Sequence, residues 1–337
     1  MYLVRPATQD DVDALFDLLT LTAGTITTLS GDREQLARRV SRSLAAFDDP
    51  PEKPAGETYV FVMEHRDGDA HAIVGTSAVQ SKTGGFEPFY GYRIEEEHYA
   101  SAALGVDKLI KSLHLAEDHS GPAEVGGLFL HPDHRGGGRG RMLSLARFLF
   151  MALRPSAFDA HVVAELRGRL DANGESPFWN AVGRHFFEVP FDVADRLSFA
   201  EKQIIADLMP DHPIYIEMLP PDAGAVIGVE HVESTAARRV LEGEGFTFIN
   251  LVDIFDGGPT LESKLSDIRA VRESRRVAIR IADVPEEPDL LLVKEQPRPV
   301  FVEARSAGDD ALIPPDVAGA TGWQSDEQGL VVRLRSN

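Results

Sequence analysis

An apolar strand, a run of glycines and arginines, and an apolar helix follow one another in EVGGLFLHPDHRGGGRGRMLSLARFLFMA, residues 124–152. Between the apolar flanks lie Arg135, Gly136, Gly137, Gly138, Arg139, Gly140 and Arg141. Glycines strung ahead of a helix let peptide N–H groups approach an anion, because a side chain there would stand in its way. A phosphate-bearing ligand is therefore the first expectation. A Walker A loop needs G-x-x-x-x-G-K-[ST], and no lysine follows these glycines. A dinucleotide fingerprint needs G-x-G-x-x-G, and its last position falls on Arg141 when counted from Gly136 and on Leu143 when counted from Gly138. What fits is R-x-x-G-x-G, as Arg135, Gly138 and Gly140.

Composition removes several classes of function. The chain has 337 residues, 43% of them hydrophobic, enough for one large core or two modest ones. Asp and Glu total 54 against 34 Lys and Arg, a net charge of −20, which opposes unspecific binding to nucleic acid or an anionic membrane. The same acid suits a cationic small substrate and equally a merely solubilised surface. With no cysteine, thiolate metal sites and cysteine nucleophiles are excluded. No basic leader with an apolar signal core opens the chain, and no run approaches the roughly 18 apolar residues of a membrane span. A cytoplasmic protein is expected.

Along the chain, YLVRP reads as a strand, and TQDDVDALFDLLTLT as a helix with Val12, Leu15, Leu18 and Leu19 on one face. A second helix is expected over about residues 32–46. TYVFVMEH and HAIVGTSAVQ form a hairpin turning at Asp67-Gly68. A polar region holding FEPFYGYRI precedes the strand of the glycine loop, AHVVAEL is the next strand, and residues 169–223 mix helix and loop signals. STAARRVLEGEGF reads as a helix ending at Gly245, and FINLVDIF as a strand. LESKLSDIRAVRES reads as a helix, and the chain closes in RRVAIRI, DLLLVK, PVFVEA and LVVRLR, all strand-like.

The loop, the opening VRPATQDDVDAL and the closing helix AARRVLEGEGF together resemble the Gcn5-related N-acyltransferases. That resemblance implies an α/β (α+β) fold with a mixed central sheet. The acyltransferase core then spans residues 1–255 with an insertion at about 169–223, and residues 256–337 add one helix and short strands. It implies that N–H groups from Arg135, Gly136, Gly138, Arg139 and Gly140 meet the pyrophosphate of coenzyme A, with Arg135 or Arg139 adding charge-assisted contacts. The pantetheine arm would lie along residues 124–130, past Gly126 and Gly127, with the backbone N–H of Leu128 facing the thioester oxyanion.

A closer similarity lies in AELRGRLDANGESPFWNAVGRHFF, ADLMPDHPIY, AVIGVEH and FINLVDIFDGGPTLE, which resemble the arginine N-succinyltransferases through about residue 260. This implies transfer of a succinyl group from succinyl-CoA to the α-amine of arginine, directly in a ternary complex. Related alternatives are another acyl-CoA or amine such as ornithine, or a catalytically silent subunit supporting an active one. A homo-oligomer, or pairing with a related subunit, is expected, and no permanent cofactor or metal.

His231, in VIGVEH, matches the family's proton-donating histidine, and imidazole can give and accept a proton near neutrality. Its structural alternative is a surface residue beside a helix start. Arg93 in FYGYRI and Arg167 in AELRG are the candidate forks for the succinyl carboxylate. Glu165 or Asp253 are candidates for the guanidinium, and Phe178 and Trp179 for lining the site or filling the core. His131 and His134 make H-x-x-H without the third ligand of a zinc helix motif, and His185 and His212 are assigned solvated or hydrogen-bonded roles.

Overall fold

The structure, a computed structural model, describes residues 1–22, 29, 31–84, 88–118, 121–191, 193–194, 203–284, 287–295 and 298–335. The start of the FEPFYGYRI word and part of the expected insertion, residues 192 and 195–202, lie outside the described residues.

The first half contains β1 (Tyr2–Pro6), α1 (Val12–Thr20), α2 (Arg33–Asp48), β2 (Thr58–Asp67), β3 (Ala70–Gln80), β4 (Phe89–Ser101), β5 (Val106–Asp118), β6 (Ala123–Leu130), α3 (Arg139–Leu153) and β7 (His161–Glu165). There follow α4 (Pro177–Ala181), α5 (Arg184–Phe187), α6 (Gln203–Leu208), β8 (Ile214–Tyr215), α7 (Pro221–Val226), α8 (Thr235–Gly243), β9 (Thr247–Val252), β10 (Pro259–Lys264) and α9 (Arg269–Arg272). The chain ends with β11 (Arg275–Ile281), β12 (Leu290–Lys294), β13 (Val300–Ala307), β14 (Asp310–Ile313), α10 (Pro315–Thr321) and β15 (Gln328–Arg333).

Local chemistry explains the early elements. α2 begins with a capping box in which Asp32 accepts from the Gln35 N–H at 2.8 Å and the Gln35 side chain accepts from the Asp32 N–H at 2.9 Å. The β2–β3 hairpin closes from Asp67 to Ala70 over Gly68, whose φ of +57° suits glycine. Asp11 is buried below α1, where Arg5 donates to its two oxygens at 2.6 and 2.9 Å and the Thr8 N–H at 2.7 Å.

Among the described residues the strands run in the order β12-β15-β11-β14-β13-β1-β2-β3-β6-β7-β10-β9-β4-β5-β8. Most neighbours are antiparallel, and β6–β7 and β11–β14 are parallel, so the architecture is mixed α/β. The middle of the sheet is packed by α3, buried on every side from Met142 to Met151, as expected of a helix enclosed within a core. Phe47, Tyr59, Phe61, Phe150 and Phe158 cluster beside it. A second cluster joins Tyr92, Leu113 and Val252 of the sheet to Phe178, Trp179, Val182 and Phe191.

Several expectations change. FYGYRI opens β4, one arm of a long hairpin with β5, where a polar region was expected. LESKLSDIRAVRES is not one helix: its first part is β10, filling the gap between β7 and β9, followed by a 3-10 turn at Leu265–Asp267 and the short α-helix Arg269–Arg272. Pairing with two flanking strands outweighs the helical spacing of Leu261, Leu265 and Ile268. β10 lies between β7 and β9, and β13 pairs with β1.

Candidate active site

Among the described residues β6 and β7 pair only at Ala123–Val162 and Glu124–Val163, while β7 pairs along its whole length with β10 on its other edge. The strands therefore splay, and among the described residues the edge of β6 from Gly126 onward is left without a strand partner on that side. On the opposite edge β6 is bulged: Phe129 faces Thr76 and Gly126 faces Ala78, so Gly127 and Leu128 together oppose Ser77. Gly127 supplies the φ of +59° that such a bulge requires, and a Cβ there would touch Ala78 and Leu29 at 3.3 Å.

A cavity of about 450 Å³ occupies the fork. Its wall takes residues 124–130 from β6, Arg135, Gly136, Gly140 and Arg141 from the loop and the start of α3, and Arg147 from the middle of α3. The far wall takes Ala164, Glu165, Leu166 and Arg167 from the end of β7, residues around His231 and the first turns of α8, and Asp253 and Asp256.

At the loop end, Gly136, Gly137 and Gly138 have φ of +96°, +59° and +83°, and Gly138 caps α3 in the left-handed conformation. A Cβ on Gly136, Gly138 or Gly140 would meet nothing within 4 Å, so the peptide edge is bare. The Arg135 Nε donates to the Leu130 carbonyl at 3.2 Å, holding the loop against the strand. Arg139 turns the other way: it donates to the His134 carbonyl at 3.2 Å and lies 4.5 Å over the Tyr2 ring, outside the cavity lining.

At the other end the backbone crosses itself. Gly168 forms an antiparallel bridge with Glu230, and the His231 N–H donates to the Arg167 carbonyl at 2.6 Å. The His231 Nδ1 accepts from the Glu233 N–H at 3.3 Å, capping the short turn Val232–Ser234. An Nδ1 that accepts leaves the proton of the neutral ring on Nε2. Arg167 is 3.3 Å from the buried Asp256 carboxylate and lies 4.6 Å over the Phe191 ring. Asp256 also accepts from the Gly258 N–H at 2.8 Å, and Asp253 accepts from the N–H groups of Phe255 and Asp256, both at 2.8 Å.

The cavity thus gathers Leu128, Arg135, Gly136, Gly140, Glu165, Arg167 and His231, with Asp253. Gly138 sits in the loop beside them. Arg93 stands apart: it is an exposed residue of β4, paired in register with Leu251 and His114, and does not line the cavity. Phe178 and Trp179 are fully buried in the insertion's cluster and do not line it either. His134 is engaged with the Tyr2 hydroxyl at 3.1 Å. Sequence reasoning overlooked Arg147, 2% exposed on α3, and Asp256. The signal for Arg147 was present as a lone charge in the apolar run MLSLARFLFMA.

A protein-family model described as "Arginine N-succinyltransferase beta subunit" matches residues 2–270. An arginine N-succinyltransferase of Yersinia pseudotuberculosis serotype O:3 (strain YPIII) is 43% identical over 284 residues, 84% of this chain and 80% of that protein. One from Citrobacter koseri is 43% identical over 277 residues, 82% of this chain and 79% of that protein. Among solved structures, the arginine/ornithine succinyltransferase subunit AI of Pseudomonas aeruginosa superposes with a TM-score of 0.88 at 32% identity, covering 100% of this chain and 99% of that one.

Proposed function

The chain belongs to the arginine N-succinyltransferase family, and from that premise we propose that it transfers the succinyl group of succinyl-CoA to the α-amine of arginine. The observation that carries the reading is a shared cavity, which brings a bare glycine loop, a bulged strand edge and His231 onto facing walls. The splayed parallel strands, the bulge and the loop also support a Gcn5-related N-acyltransferase core.

In this reading the pyrophosphate rests on the N–H groups around Gly136, Gly138 and Gly140 at the positive end of α3, with Arg135 beside it. The pantetheine arm follows the unpaired edge of β6, and the bulge turns the Leu128 N–H toward the thioester oxygen. Arginine enters from the acidic end, where Glu165, Asp253 and Asp256 favour a guanidinium and Arg167 is held against Asp256. The neutral amine attacks the thioester carbon, giving a tetrahedral intermediate. Its collapse breaks the C–S bond, and the amine's surplus proton passes to the departing sulfur by way of the His231 ring, which is neutral before and after the transfer. No cysteine exists to hold an acyl group, so transfer is direct.

The P. aeruginosa protein is described as an arginine/ornithine succinyltransferase subunit, which favours ornithine as a second acceptor here. The word "subunit", used of that protein and of the matching family, supports an oligomer, of this chain or with a related one. The test is thiol release by the purified chain alone over a panel of acyl-CoA esters crossed with basic amino acids. Succinyl-CoA with arginine should give the highest kcat/KM. Absence of arginine-dependent release from any ester would overturn the reading, and restoration by a related subunit would assign the silent-partner role.

A further inference from the structure

Arg147 is a buried cation whose hydrogen-bond partners are all neutral. Its Nε donates to the Ser144 carbonyl at 3.2 Å, its Nη2 to the Ser144 hydroxyl at 2.7 Å, and its Nη1 to the Gly126 carbonyl at 3.4 Å. No acidic side chain among the described residues forms an ion pair with it, in contrast to Arg167 with Asp256 and Arg269 with Glu244. Burial pushes its pKa down to about 9, so it stays charged at neutral pH. A guanidinium enclosed without a counter-charge costs stability, and an apolar side chain would fit the rest of this helix better.

Its position explains the exception. α3 runs back along β6 from the glycine loop, and Arg147 is eight residues beyond Arg139, about 12 Å deeper at 1.5 Å per residue. There it meets Gly126, at the point where β6 and β7 begin to splay, and it lines the cavity floor. A donor whose pyrophosphate sits at the loop and whose thioester sits at Leu128 directs the rest of its acyl chain into that crotch. The two guanidinium edges carry five N–H donors, and three atoms are engaged by neutral acceptors, so donors remain for an anion.

Resting on the reading of the site as a succinyl-CoA site, we propose that Arg147 determines donor specificity by receiving the terminal carboxylate of the acyl group, with Ser144 positioning its guanidinium. The buried charge is then completed by the substrate, and a donor lacking the carboxylate leaves it unmatched.

Butyryl-CoA carries the same four-carbon chain without the carboxylate. Arginine-dependent thiol release by the full chain should favour succinyl-CoA over butyryl-CoA. In Arg147→Met, kcat/KM for succinyl-CoA should fall on the order of 10²-fold, as for removal of one partner of a buried charge pair, and much further than for butyryl-CoA. Arg147→Lys should keep part of the preference. A wild type inactive with succinyl-CoA would defeat the functional reading itself, and the inference with it. A wild type that prefers succinyl-CoA, beside an Arg147→Met variant with an unchanged donor ratio or equal losses on both donors, would overturn the inference alone. If circular dichroism shows Arg147→Met unfolded, Ser144→Ala decides: removing the hydroxyl that holds Nη2 should lower the succinyl-to-butyryl ratio a few-fold, and an unchanged ratio would overturn the proposal.

Discussion

At Gly136, Gly138 and Gly140 an added Cβ would meet no heavy atom within 4 Å, whereas at Gly168 it would fall 2.3 Å from the Asp256 carbonyl oxygen and at Gly258 2.1 Å from that of Leu166. Both groups lie at the borders of one cavity, one at its loop end and one where β7 passes the turn after β9. The crowded glycines let two main chains cross, and no ligand is needed to account for them. Among the described residues the open glycines have no neighbour that excludes a side chain. In the proposed reaction the donor's pyrophosphate takes the space they leave bare. The left-handed φ of Gly136 and Gly138 adds a backbone requirement that Gly140 lacks.

The largest expected effect breaks the crowded end. In Gly258→Ala the new methyl cannot coexist with the Leu166 carbonyl at 2.1 Å or the Gly168 nitrogen at 2.6 Å. Such overpacking against backbone should cost about 3 kcal/mol or more, visible as a large fall in Tm or as insoluble protein. A variant that melts with the wild type would mean that the crossing relaxes freely and that the contrast is false.

Next in size is His231→Ala, at the junction of the two ends. If the ring passes the proton to sulfur, turnover should drop roughly 10²–10⁴-fold, while the donor Kd from calorimetry stays within a few-fold, because the loop lies on the other wall. Turnover within a few-fold of wild type with a lower Tm would make His231 a cap that only holds Val232–Ser234 in place.

Gly140→Leu tests the open end. Leucine favours a helix over glycine by up to about 1 kcal/mol, and nothing within 4 Å opposes it, so Tm should hold or rise. Donor Kd should rise roughly 10- to 100-fold, since displacement of the donor by about an ångström has effects of that size. Unchanged donor affinity would remove the pyrophosphate from the loop.

The same contrast shows which parts of the molecule were legible from sequence. The open glycines, the arginine before them and the helix after them are neighbours in the chain, and R-x-x-G-x-G together with its flanking strand and helix specifies them. The crossing of Gly168 with Gly258 joins residues that only the sheet brings together. β10 was misread for a related reason: Leu261, Leu265 and Ile268 have helical spacing, and only the gap between β7 and β9 turns the first of them into a strand residue. Phe178 and Trp179 read as possible lining but more often core, and Tyr92 and Val252 are the partners that bury them. Arg93 had a chemistry but no location. Arg147 has a location in a helix, and only the fork above it gives that position a chemistry.

The smallest effect is expected at His131, and it isolates what His231 owes to its surroundings. The two residues have the same local geometry. His131 caps the turn Pro132–His134 and accepts from the Asp133 N–H at 3.3 Å, just as His231 caps Val232–Ser234 and accepts from the Glu233 N–H at 3.3 Å. Each follows the strand-side wall and precedes a helix that borders the cavity. Only His231 lines the cavity; His131 has its ring near that of His134, with centroids 5.9 Å apart, beside the loop. His131→Ala therefore removes an equivalent cap without touching the reacting atoms. Caps of this kind contribute about 0.5–2 kcal/mol, and with the turn partly exposed the lower end applies, a Tm change of a few degrees at most. Turnover and donor Kd should stay within about twofold of wild type. Were His131→Ala to lose turnover on the scale expected for His231→Ala, the common factor would be the capped turn that orients the following helix, and the ring's place in the cavity would no longer explain either result.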